Sequence, residues 1–219
     1  MALNINGTTG ISGVDGSVSA PAVTGTDSNT GITFPAADTI KFSTGGVERM
    51  QITNSGVSGT GIGAGKILQV QQTVGTGTYS TSSLTFSDTV TCAITPSATS
   101  SKIICIYKIG LTANNGGYSA AARLVRDSTA IYVGDAAGSR TQSSSHHTAA
   151  SDGIGQVKIE DQGGTFMDSP NTTSAITYRL QFRSDYSGQT IYAGRSAADD
   201  NYTYRSRIPT SLLLMEVGA

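Results

Sequence analysis

The chain has 219 residues, a formal net charge of −1 and only 13% charged residues, about half the usual share of a soluble domain. That balance offers no electrostatic reason to expect nucleic acid or an anionic membrane as a partner. No apolar run approaches the ~20 residues a membrane helix needs, and no 3.6-residue apolar period is sustained. Short β-branched runs broken by Gly, Asn and Pro-Ser signals read as an all-β protein.

The start, "MALNINGTTG", has neither a basic n-region nor an apolar h-region and so does not read as a secretory signal. The expectation is synthesis in a cytoplasm. Residues 1–65 carry few large apolar side chains and only Asp15, Asp27, Asp38, Lys41, Glu48 and Arg49 as charges. Such a segment cannot bury enough apolar area on its own to offset the entropy of ordering. Residues 1–30 read as an extended arm and residues 31–65 as a β-hairpin stalk. Short strands are expected over 32–34, 39–43 and 47–53. In "VERMQIT" the period of two puts Glu48, Met50 and Ile52 on one face. With Ile40 and Phe42 of the partner strand they make an apolar patch. A lone hairpin is not stable in water, so the patch needs a cover, and Ile40, Phe42, Met50 and Ile52 are candidate contacts between copies of the chain.

"GTGIGAGKI" (59–67) only approaches a phosphate loop. Thr60 stands where the first Gly should be, and Ile67 where the magnesium-binding Ser or Thr should be. It reads as a joint. From residue 66 to 219 the pattern changes to about ten expected strands with turns every 8–15 residues, which fits a β-sandwich of the jelly-roll type. If "PSATSS" closes a tight hairpin, Cys92 faces Cys105 in a register that permits a bridge. The alternative, favoured in a reducing cytoplasm, is two buried thiols acting as small apolar residues. "AARLVRDSTAIYVG" reads as a hairpin turning at Arg-Asp-Ser-Thr. "GQVKIED" and "TFMDSP" read as two strands. In "SLLLMEV" Leu212, Leu214 and Glu216 share one face, and Leu213, Met215 and Val217 the other. Apolar residues on both faces mark a central strand or an interface.

No G-x-S-x-G element is present. Asp199 and Asp200 are adjacent, and in extended chain they point apart, unlike the opposed carboxylates of a glycosidase. No metal or cofactor is expected. His146 and His147, the only histidines, read as an exposed polar loop tip. Tyr202 and Tyr204 stand among Asp199, Asp200, Asn201, Arg205 and Arg207, a mixture suited to stacking on sugar rings. Candidate receptor-binding residues are therefore Tyr202, Tyr204, Asp199, Asp200, Arg205, His146 and His147. The loops that would present them are 112–119, 138–153 and 196–207.

"MALNINGTTGISGVDGS", "GITFPAADTIKFSTGGVERMQITNSG", "LVRDSTAIYVGDAAGSR" and the tail "RIPTSLLLMEVGA" together resemble tail-fibre and fibre-like proteins of bacteriophages, particularly phages of aquatic bacteria. The resemblance implies a homotrimeric structural virion protein. Its residues 1–30 would anchor to another virion protein, its stalk would be built from three copies of the hairpin, and its head would meet a host surface glycan or other outer-surface receptor. The virion would be its final location. A looser likeness of strand order to trimeric jelly-roll heads of the tumour-necrosis-factor and complement type carries no functional residues. Two alternatives to a tail fibre are a fibre or cement protein on the capsid and a glycan-depolymerising enzyme. Where residues 1–30 dock separates the first, and two carboxylates across a cleft would mark the second.

Overall fold

The computed structural model describes residues 4–6, 10–12, 15–59, 65–149 and 157–218. It is all-β, with no helix among the described residues. The chain divides into two compact units, Met1–Lys66 and Ile67–Gly218. Most of the joint (60–64) and the far part of the 138–153 loop (150–153) lie outside the described residues, as do residues 1–3, 7–9 and 13–14 of the arm.

The first unit holds β1 (Asn4–Asn6), β2 (Gly10–Ser12), β3 (Gly16–Ser17), β4 (Ala20–Pro21), β5 (Val23–Thr24), β6 (Gly31–Ala36), β7 (Thr39–Thr44), β8 (Val47–Thr53) and β9 (Gly56–Ser58). The hairpin expected over 39–53 forms, but as the centre of a five-stranded antiparallel sheet in the order β5-β6-β7-β8-β9. Phe42 lies opposite Met50, and Ile40 opposite Ile52. Val23 lies opposite Ile32, Ile32 opposite Phe42, and Ile52 opposite Val57, which extends the apolar face across all five strands.

One member of that face was misplaced by strict alternation. An extra residue of β8, Arg49, stands between the pairs Phe42↔Met50 and Ser43↔Glu48. The bulge turns Glu48 to the opposite face, where its carboxylate lies 2.7 Å from Lys41 Nζ. That opposite face is the better covered one. Thr33 and Ser43 are buried on it, and β3 and β4 pack against β6. A Cβ at Gly31 would fall 2.8 Å from Pro21 Cβ and into the Val23 carbonyl, so only glycine allows this approach.

The second unit holds β10 (Ile67–Gly75), β11 (Tyr79–Thr81), β12 (Ser87–Ile94), β13 (Lys102–Ala113), β14 (Ser119–Arg126), β15 (Thr129–Ile131), β16 (Ser145–Thr148), β17 (Glu160–Asp168), β18 (Ile176–Ser184), β19 (Ile191–Ala193) and β20 (Thr210–Val217). Two sheets form. One runs β10-β20-β13-β19-β11 with β17 also on β13, and the other runs β12-β18-β14-β15 with β16 also on β14. Their inward residues meet in one core in a sandwich-like arrangement: Val90, Cys92 and Ile94 from one sheet, Ile103, Cys105, Ile109, Leu212 and Leu214 from the other, with Tyr178, Leu180 and Phe182.

The structure departs from the sequence expectation at three places. First, β12 and β13 are not a hairpin. Cys92 pairs with Tyr178, and Cys105 lies between Phe166 and Leu214. Both are buried free thiols. A period of two tells which residues face the core, but it does not distinguish a strand alongside from a strand across the core. Second, the two strands expected around Gly163-Gly164 are one, β17. A Cβ at Gly164 would fall 2.9 Å from the rings of both Tyr107 and Tyr132, and one at Gly163 2.9 Å from the Tyr107 carbonyl oxygen, so the glycines allow close approach within a strand rather than mark a turn. Third, 145–148 is a strand on β14 and not a loop tip.

The hairpin at 126–129 forms as expected, with Arg126 opposite Thr129 and Asp127 at φ 52°. β20 is a central strand between β10 and β13. On its outer side Val70, Met215, Ile104 and Met167 align in one row across four strands. On its inner side Glu216 is fully buried. It accepts hydrogen bonds from Ser97 N (2.7 Å), Ser97 Oγ (2.6 Å) and Gln69 Nε2 (2.6 Å). These bonds fasten the crossover between β12 and β13 to the central strand.

Candidate functional site

Residues 195–207 leave the six-stranded sheet after β19 and return just before β20. Their base is fixed by backbone bonds from Gly194 N to Gly110 O (3.0 Å), Ile208 N to Gly194 O (2.9 Å) and Ser196 N to Ser206 O (3.2 Å). Gly194 takes φ 82°, a conformation that favours glycine. Above this base the sequence-predicted residues converge on a cleft of about 420 Å³ lined by Asp199, Asp200, Asn201, Tyr202, Arg205 and Arg207.

Both carboxylates of this loop are engaged by its own arginines. Asp199 Oδ2 lies 2.7 Å from Arg207 Nη2 and 3.2 Å from Arg195 Nη1. The Arg207 hydrogen bond, joined by the charge of Arg195, holds the Asp199 carboxyl below its ordinary value. Asp200 Oδ1 lies 3.2 Å from Arg205 Nε. That contact is Coulombic rather than an aligned hydrogen bond, and Arg205 Nε and Nη1 are buried without an acceptor. The two carboxylates are thus each taken up by arginine. Tyr202 and Tyr204 stack on one another, centroids 5.3 Å apart at 13°, with Arg205 4.9 Å from the Tyr204 ring. Each tyrosine is 56% exposed, so the stacked pair keeps a large part of its apolar surface open to a ligand.

The other sequence-predicted loops gather elsewhere in this unit. Gly117 N bonds Ala149 O (2.7 Å), and Ala149 N bonds Tyr118 O (2.9 Å). These two bonds join the described parts of 112–119 and 138–153. The turn after β18, which sequence reasoning left out, joins them through Asp185 N to Ser119 O (3.1 Å) and Asn114 N to Thr190 O (3.0 Å).

The two histidines part company. His146 is exposed and its Nε2 lies 3.0 Å from Asp185 Oδ2, beside a cleft lined by Arg140, Thr141, Ser143, His146 and Asp185. His147 is 2% exposed, with Nδ1 2.9 Å from Glu160 Oε2. It faces the interior because alternation along β16 sends neighbours to opposite sides. His147 is therefore withdrawn as a surface contact. In the first unit, Ile40, Phe42, Met50 and Ile52 are brought onto one face, and a cleft lined by Phe34, Ile40 and Ile52 among others opens on it.

Sequence reasoning also missed Phe86, Arg123 and Arg183. Arg179, Gln181 and Arg183 alternate in "TYRLQFRS", so their common face was legible. That Arg123 joins them depends on β14 pairing with β18, with Arg123 opposite Gln181. No family model matches the chain, and no curated protein matches it.

Proposed function

We propose that the chain is a structural virion protein, a homotrimeric phage tail fibre with a jelly-roll-like head that attaches the particle to its host. The observation that carries the reading is the first unit's inverted sheet. Its apolar residues Val23, Ile32, Phe34, Ile40 and Val57 lie on an uncovered face, and no large apolar side chain is buried among the described residues of this unit. A sheet that leaves its apolar face to water is incomplete alone. Two further copies of the same sheet around one axis are the cover that a fibre supplies. The apolar outer row of Val70, Ile104, Met167 and Met215 gives the head a similar need.

In this reading residues 1–30 dock on another virion protein, and the head presents its loops to a host glycan. The exposed surfaces of Tyr202 and Tyr204 are the contact for sugar rings, and trimerisation multiplies a weak single-site affinity. Light scattering tests the assembly and should give three times 22.4 kDa; a monodisperse monomer refutes it. Tyr202→Ala with Tyr204→Ala should leave the trimer intact and lower adsorption of particles to host cells. Unchanged adsorption of assembled particles removes this loop from the receptor site.

A further inference from the structure

The outer face of the five-stranded sheet of the second unit holds a cluster of cations that the reading above does not use. Arg123 on β14 and Arg183 on β18 share one aromatic ring. Their guanidinium carbons lie 4.0 and 5.6 Å from the centroid of Phe86. Like charges drawn together in this way are costly without a counter-charge. Burial, and then the neighbouring Arg183 charge, hold Arg123 below its ordinary value.

The carboxylates of this face are already committed. Asp88 takes Arg179 Nη1 (3.0 Å) and Gln181 Nε2 (2.7 Å). Asp185 takes Arg183 Nε (3.1 Å) and Nη2 (3.0 Å), together with His146 Nε2 (3.0 Å). Arg123 donates from Nε to the neutral Gln181 Oε1 (2.9 Å), and its Nη groups make no hydrogen bond among the described residues. Arg140, exposed beside His146, has no acidic partner among them either. With Arg179 and Arg183 neutralised, Arg123 and Arg140 are the charges of this surface without an acidic partner among the described residues.

A cleft adjoins this surplus. Ala121 lies opposite both His146 and Arg183, so Arg123, two residues further along β14, is a diagonal neighbour of each, at roughly 7–8 Å. The cleft lined by Arg140, Thr141, Ser143, His146 and Asp185 measures about 360 Å³, within the roughly 300–1,000 Å³ of small-ligand sites. Its polar wall offers hydroxyl and imidazole groups to sugar hydroxyls. Next to Asp185, Tyr186 stacks edge-on with Tyr118, centroids 5.1 Å apart, and adds a half-open aromatic surface.

We infer that this face binds an acidic saccharide, its carboxylate or sulfate seated between Arg123 and Arg140 and its ring in the adjoining cleft. Guanidinium matches the planar carboxylate by paired hydrogen bonds, and the anion supplies a counter-charge for Arg123, which has none beside it among the described residues. The inference does not depend on the virion reading or on the Tyr202 loop.

Calorimetric titration of the full chain tests it with three probes: an oligogalacturonate, a maltohexaose and inorganic phosphate. The uronic-acid oligomer should bind and weaken with added salt, maltohexaose should not bind, and phosphate should bind at least ten-fold more weakly than the oligomer. Arg123→Gln should weaken the oligomer by about ten-fold or more, the worth of one charge-assisted contact of about 1.4 kcal/mol. Arg140→Gln, at an exposed position without side-chain partners among the described residues, should weaken it about three-fold at an unchanged melting temperature. It decides the matter if Arg123→Gln proves unstable. The inference is overturned if the oligomer does not bind at millimolar concentration, if maltohexaose or phosphate binds as well, or if Arg140→Gln binds like the parent.

Discussion

Replacing Glu216 with Gln keeps the shape of a fully buried side chain and removes its charge. Burial alone would raise this carboxyl. Hydrogen bonds, those from Ser97 Oγ and Gln69 foremost, then Ser101 and Ser97 N, more than offset burial and bring it from 4.5 down to about 2. A folded value below the unfolded one means the stabilisation is fully present above about pH 4.5 and is lost as pH falls through about 2. The shift corresponds to about 3 kcal/mol. Hydrogen bonds to charged groups contribute about 1.5–3 kcal/mol each, so losing the charge-assisted part of these bonds leads to the same magnitude. Glutamine also brings an NH₂ that must face either the Ser97 donors or the Gln69 amide. For a unit of this size about 3 kcal/mol lowers the melting temperature by about 6–12 °C. Thermal melts followed by far-UV circular dichroism should show that drop at pH 7. The gap between parent and variant should then close as the pH is taken from about 4.5 towards 2. A variant melting within a degree or two of the parent at pH 7, or a gap that stays constant down to pH 2, refutes the clamp.

Tyr178→Phe removes the bond from the buried hydroxyl to Asp168 Oδ2, 2.7 Å long, and leaves Arg126 on the same carboxylate. Urea titration should show a loss of about 1.5–3 kcal/mol, and no loss would mean the bond is not formed. Burial, and then the Asp168 charge, push the Cys105 thiol well up, and burial raises Cys92. Both should resist a disulfide reagent at pH 8 in the native state and react at the rate of unfolding. Immediate labelling would show an open core. Met50→Asp places a charge on the apolar face of the first unit. If further copies cover that face, the cost is on the order of 3–5 kcal/mol per chain, and limited proteolysis should cut residues 15–59 while Ile67–Gly218 stays whole. An unchanged digestion pattern would count against the covered face.

Strand positions were largely legible because they follow from local chemistry. Period-two runs announced β7, β8 and β20, and Arg-Asp-Ser-Thr announced the β14–β15 turn. Alternation showed which residues of each run beside Gly-Gly share a face, but a plain two-residue turn sets Phe42 opposite Arg49, and the pairs Phe42↔Met50 and Ile40↔Ile52 arise only through the bulge. Arg49 broke the rule there, since a bulge is a departure from alternation that alternation cannot reveal. Gly163-Gly164 looked like punctuation because nothing local says that Tyr107 and Tyr132 will lie against it.

The candidate site divides along the same line. The residues of 196–207 are contiguous, so their mixture of tyrosine, acid and arginine was visible in order. That each acid is neutralised by arginine depends on how the loop folds back on itself. His146 and His147 are chemically alike, and only the pairing of β16 with β14 sends one out to Asp185 and the other in to Glu160. The cluster of Phe86, Arg123 and Arg183 draws on three segments far apart in the chain. The sequence alone determined an all-β chain, the strand runs and the low apolar content of residues 1–65, because these are matters of composition and of a two-residue period. Which strands lie side by side, which face each other across the core and which charges meet were decided by tertiary structure, because backbone hydrogen bonds between strands carry no residue-specific label and the choice among registers is made by packing the whole core at once.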